Sequence, residues 1–145
     1  MCVKAGQCLA VPDVCMTPGA AAGAPGPLPY SNIGMPSDGD GTDKVKVMNA
    51  NALRKGDQIS RSSGDEAGNQ PGGVVSGVNT GTVSIELGDP NVKADGQDIA
   101  YHTVLTAHNG TNANMPAGTH VSPTQQNVKV KGVPRNGLLW LSQAV

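Results

Sequence analysis

The chain has 145 residues, one domain's worth, with 37% hydrophobic and 14% charged residues and a formal net charge of −1. So neutral a chain lacks the basic stripe that nucleic acid requires, and no run approaches the ~18 uninterrupted apolar residues of a membrane helix. Its 20 Gly and 11 Pro press toward low complexity, yet the low charge and recurrent valines set it apart from disordered chains.

Phe is absent, and Trp140, Tyr30 and Tyr101 are the only aromatic residues of the Phe, Trp and Tyr class. Val, Leu, Ile and Met must therefore fill the interior of an ordered, turn-dense β-structure that needs support from a metal or a partner. Cys2, Cys8 and Cys15 form an odd set, which points to free thiols or a metal ligand rather than a disulfide framework. Met1 to Leu9 lacks the apolar stretch of a signal peptide.

From Pro12 to Pro36 the prolines recur so often that the segment reads as an extended, irregular wrap rather than a helix or a central strand. Ser37 to Thr42 is a turn cluster. Lys44 to Met48 then alternates charged and apolar side chains with period two, as a half-buried strand does. Asp65 and Glu66, flanked by glycines, read as a solvated turn and not as a catalytic acid pair. Gly72 and Gly73 mark a tight turn or a close backbone approach. Thr82 to Leu87 repeats the alternation, with Val83, Ile85 and Leu87 on one face. Gln97 to Asn109 suits a short helix or a strand, and Asn127 to Lys131 alternates a third time. Gly137 to Leu141 is the most apolar run.

Three segments beginning at Val45, Val92 and Val128 share a strand, a tight turn and a short return. Three such hairpins in one chain predict an object with pseudo-threefold character.

Five strings stand in a recognisable order: Pro12-Asp13-Val14-Cys15-Met16-Thr17-Pro18, Pro27 to Ile33, Ser63 to Gly68, Gly72 to Gly77, and Tyr101-His102 running into Ala107-His108-Asn109. Together they make the segment from about Val11 to Asn109 resemble the PAAR-like (Tox-PAAR-like) spike-tip family of contractile injection systems. Tyr101 departs from the basic residue often found there. The chain is expected to be a single domain over 1–145, with 110–145 as a C-terminal hairpin or extension.

The resemblance implies an all-β, cone-shaped fold of short hairpins seated on a trimeric β-helical spike, either of the valine-glycine-repeat type or phage-spike-like. It further implies one structural zinc ion near the apex, and Cys15, His102, His108 and His120 are the expected ligands of a closed four-donor site. Val74, Val75, Val83, Ile85, Leu138, Leu139, Trp140 and Leu141 are the candidates for the docking base or inner face. The expected role is non-catalytic: a tip made in the bacterial cytoplasm, assembled on a type VI secretion apparatus, extracellular contractile particle or phage-like tail, and delivered outside to help pierce a membrane, with effectors as further candidate partners. The alternative is a small zinc-dependent hydrolase, which would hold its metal with three protein ligands and a water. A carbohydrate-binding module is disfavoured by the scarcity of aromatics.

Overall fold

The computed structural model describes residues 1–122 and 124–130. Eleven short strands and one 3-10 turn, Pro36–Asp38, account for the regular structure of these residues. The strands are β1 (Cys8–Ala21), β2 (Ala24–Gly34), β3 (Lys46–Val47), β4 (Ala50–Asn51), β5 (Gln58–Ile59), β6 (Ser62–Ser63), β7 (Val83–Ile85), β8 (Asp89–Ala94), β9 (Gln97–Ile99), β10 (Leu105–His108) and β11 (Met115–His120). Seven of them form one sheet in the order β5-β7-β10-β11-β1-β2-β6, which curls into a nearly closed, cone-like wrap. The fold is all-β, as the sequence implies.

The proline-rich segment departs from its expected form. It builds the longest hairpin, β1 with β2, and β1 lies inside the sheet between β11 and β2. The prolines are accommodated where the ladder needs no donor. Pro12 falls in the register shift between Ala10 and Asp13, and Pro18 in the shift between Thr17 and Ala21. Pro27 and Pro29 stand opposite Met16 and Val14, whose backbone groups bond instead to the Gln70–Val74 loop: Met16 N donates to Gly72 O at 2.7 Å and Val74 N to Val14 O at 3.0 Å.

Other alternations hold in part. Val83 and Ile85 turn inward on β7, but the strand ends there and Leu87 is exposed. The stretch from Gln97 to Asn109 becomes β9, a turn at His102 and Thr103, and β10, because Thr103 takes φ +72° and reverses the chain. Residues 127–130 carry no strand.

The segments from Val45 and Val92 meet the N-terminal stretch around a closed ring. Cys2 N donates to Ala100 O (2.8 Å), Ala100 N to Leu53 O (2.8 Å), and Leu53 N to Cys2 O (2.9 Å). Each donor's own carbonyl serves the next residue, so the three strands are related as by a threefold axis. A second tier repeats the relation: Lys4 N bonds to Asn51 O and Lys55 N to Asp98 O, both at 2.8 Å. Two equivalent hairpins feed the ring. β3–β4 turns at Met48 and Asn49 (φ +52° and +64°), and β8–β9 turns at Asp95 and Gly96 (φ +52° and +79°). In both, positive φ at the two central residues gives the hand that matches strand twist.

At the third place lies Val128. Its carbonyl accepts from the Met1 amino nitrogen at 3.4 Å, as that of Val45 accepts from Ala52 N at 2.9 Å. Two small apolar layers stack on the ring: Cys2, Leu53 and Ala100 with Ile85 and Val104, then Ala52 and Ile99 with Ala94, against which Met1, Val45 and Val130 pack. Interiors so narrow leave no place for Phe.

Candidate metal centre

The bulge at Val11 and Pro12 resets which face of β1 is inward. Before it Cys8 and Ala10 are buried, and after it Asp13 and Cys15 are. Asp65 reaches the same place from the turn after β6. One ligating atom from each of Asp13, Cys15 and Asp65 lies within 4.8 Å of the others, and all three residues have 0% exposure. No other group of three or more His, Cys, Asp or Glu donors gathers so closely among the described residues.

Amides hold the acids in place. Asn109 Nδ2 donates to both oxygens of Asp13 (3.3 and 3.1 Å) and to Cys15 Sγ (3.6 Å). Asn114 Nδ2 donates to Asp13 Oδ1 and, at 2.8 Å, to Val14 O. Thr80 N serves both oxygens of Asp65 at 3.0 Å. Gly68 closes the back: a Cβ there would stand 2.3 Å from Cys15 Cβ, so no larger residue leaves the thiol where it is.

Burial determines the protonation chemistry. Desolvation, and then the facing Asp13 and Asp65 carboxylates, push the Cys15 thiol up to about 12. Desolvation also raises Asp65 above the usual carboxylate range, against the opposing bond from Thr80. Two carboxyls and a thiol shut away from water cannot all ionise without a cation, because each uncompensated buried charge costs several kcal/mol. The cluster therefore either keeps protons or takes a metal. A thiolate with two carboxylates is a donor set that zinc accepts, and it supplies three of the four positions of a tetrahedral site.

The model of the family described as Toxin PAAR-like domain matches residues 6–116. The chain belongs to the Tox-PAAR-like family. No curated protein and no solved structure matches it. The match spans the five sequence strings and extends a few residues beyond them at both ends.

In this Tox-PAAR-like chain the expected quartet of Cys15, His102, His108 and His120 is not gathered around one point. Only Cys15 belongs to the cluster. His108, fully buried on β10, is enclosed by its own partners, with Nδ1 2.8 Å from Asn32 Oδ1 and Nε2 2.9 Å from Thr106 Oγ1. Desolvation lowers it to about 4, so its ring is neutral. His102, on the exposed turn before β10, meets His120 at the end of β11 edge to face, with ring centroids 6.2 Å apart. The reason is topological: β10 and the turn before it carry His108 and His102 to separate places.

Asp13 and Asp65 are not among the expected donors, although both lie in the recognisable strings. Asp13 sits two positions from Cys15, the spacing of one strand face, and that was a usable signal. Asp65 gave none, and the expectation of a solvated turn holds only for exposed Glu66.

The anticipated docking residues also separate. Val83 (0% exposed) and Ile85 (2%) are core side chains and cannot meet a partner, since Val83 packs with Cys8 and Ile59, and Ile85 with Cys2 and Leu53. Val74 and Val75 are exposed, at 53% and 57%, on a loop tied to the cluster by Asn114 Oδ1, which accepts from Val75 N at 2.8 Å. Gly72 permits that loop's fold, since at φ +137° a Cβ would lie 2.4 Å from the Val78 carbonyl carbon. Leu138, Leu139, Trp140 and Leu141 lie outside the described residues. All three cysteines are free and buried, and no helix is long and apolar enough to cross a membrane among the described residues.

Proposed function

We propose that this chain is a non-catalytic, metal-stabilised tip that caps a trimeric β-helical spike of a contractile injection system and travels with it out of the bacterial cell. The observation that carries the reading is the hydrogen-bonded ring of Cys2, Leu53 and Ala100. A single chain with three related strands presents three related surfaces, so it can match a threefold partner end-on as no asymmetric chain can. Membership of the Tox-PAAR-like family supports the same role. Val74 and Val75 remain the described candidates for docking contacts, with the 138–141 run beside them in the proposal.

The metal, which we take to be zinc, would be held by Asp13, Cys15 and Asp65 and would lock a domain with little apolar interior. A fully buried cluster favours a structural over a hydrolytic ion, because hydrolysis needs an open position that substrate can reach.

The test is to mix the purified chain with a trimeric spike of the valine-glycine-repeat type and weigh the complex by light scattering. One chain per spike trimer is expected, and a 3:3 complex or no complex overturns the capping role. Elemental analysis with thermal melting tests the metal. Zinc should raise the melting temperature of wild type but not of Asp65→Asn, whose metal-free form should melt no lower than wild type because a buried like charge has been removed. Equal responses of the two proteins to zinc would refute the site.

A further inference from the structure

The β1–β2 hairpin is turned inside out. Antiparallel sheets in water set apolar side chains on the core and polar ones outside. Here Asp13, Cys15 and Asn32 point inward, each with 0% exposure, while the outward places of the ladder hold the pairs Leu9–Ile33, Val14–Pro29 and Met16–Pro27. Directly opposite residues share a face, so these pairs form one apolar strip. Val11, 54% exposed at the bulge, continues it between the first pair and the second. Polar within and apolar without is the alternation of strands that face lipid.

Charge follows the same division. Of Asp, Glu, Lys and Arg, β1 carries only the buried Asp13, and β2 and the neighbouring β11 carry none. Among the described residues, the exposed side chains of these four types lie at 38–66 and 86–95, with Lys129 besides. The wall made of β11, β1 and β2 is thus free of exposed charge.

A strand edge is the other obstacle to lipid, because an N–H without a partner is costly in hydrocarbon. Pro27 and Pro29 remove those donors from the outer edge of β2, and on β1 the Met16 N–H and the Val14 carbonyl are already bonded to Gly72 and Val74. At about 3.3 Å per residue the strip from Leu9 to Met16 runs roughly 23 Å, close to the ~25 Å apolar band of membrane-facing strands.

We infer that the wall of β11, β1 and β2 is a lipid-contacting surface, with which the protein lies against the hydrocarbon of a zwitterionic phospholipid bilayer. Having no Lys or Arg, this wall draws nothing from anionic headgroups, and its contact with lipid does not depend on salt.

Flotation with phosphatidylcholine vesicles tests this on the free chain, so that its failure leaves the capping of a spike untouched. Wild type should float with the vesicles, and added salt should not release it. Val11→Lys with Pro29→Lys, both at exposed positions of the strip, should lower partitioning at least about tenfold, since cations on a lipid-facing strand are strongly disfavoured. Lys46→Glu, on β3, should float as wild type does, and circular dichroism checks that each variant folds. Because the three native cysteines are buried, a polarity-sensitive dye can be placed on Ser31→Cys alone, at an exposed position opposite the bulge. Its emission should shift to the blue on vesicles, whereas the same dye on Lys46→Cys should not respond, and this holds the inference open to test should the lysine variant fail to fold. Wild type that does not float, a folded lysine variant that floats equally, or a Ser31 dye indifferent to lipid overturns the inference. Equal flotation would put the contact on another part of the chain, such as the 138–141 run. A Ser31 dye that responds to protein concentration but not to lipid would make the wall a contact between copies of the chain, which also overturns it.

Discussion

His108 illustrates how strongly a single side chain here depends on its enclosure. Its imidazole is neutral because burial pulls it from an ordinary 6.5 to about 4. Between these values the unfolded chain binds a proton that the folded chain refuses. The His108 contribution to stability is therefore complete above pH 6.5 and lost as pH falls through that interval toward 4. It amounts to at most about 3 kcal/mol, from the size of the shift. His120, depressed likewise by burial, adds to the loss, while Asp65, raised by burial, opposes it. Melting curves across this range should show wild type losing stability steadily. His108→Gln, which can still bond to Asn32 and Thr106, should show a shallower slope, and parallel profiles would contradict the assignment. At this scale the sequence was a partial guide. Cys15 stood out by its motif, but whether a histidine is a ligand or a buried, bonded ring depends on neighbours from other strands.

The β1–β2 hairpin shows the same division for an element. Its prolines argued against a central strand, and the argument was sound for the donors they lack; what it missed is that a strand has two edges. Pro27 and Pro29 stand at positions of β2 whose partners on β1 bond elsewhere, so their nitrogens face the outer edge. Along that edge β6 covers only Ile33 and Gly34. Alternate prolines thus strip the free edge of donors without touching the inner ladder, a protection that exposed edges need. Pro27→Thr with Pro29→Thr should leave the β-type circular dichroism intact and cause concentration-dependent association in sedimentation experiments. A double variant that sediments as wild type does would refute the role. The hairpins at Met48 and Asp95 were the most legible elements, since period-two alternation and a tight turn are local properties.

The whole molecule depends on closure of the ring. Leu53 is its largest side chain, 1% exposed, and it bridges the layer of Cys2 and Ala100 to Ile85 and Val104. Leu53→Ala should cost about 2–5 kcal/mol in chemical denaturation, as cavities in packed cores do, whereas Val75→Ala on the exposed loop should fall within about 0.5 kcal/mol of wild type. Comparable losses from both would mean that the ring is not where stability resides. Pseudo-threefold character was readable as three similar segments, and the structure places Val45 and Val128 in matching hydrogen bonds to Ala52 and Met1.

By itself the sequence determined the class of fold, the family and the locations of the turns, because these rest on periodicity, on proline and glycine stereochemistry and on short ordered strings. Tertiary structure alone decided that Asp13, Cys15 and Asp65 converge, that the histidines do not join them, and that Cys2, Leu53 and Ala100 close a ring. Those relations join residues far apart in the chain through backbone bonds and burial, and no local pattern encodes which distant strand a side chain will face.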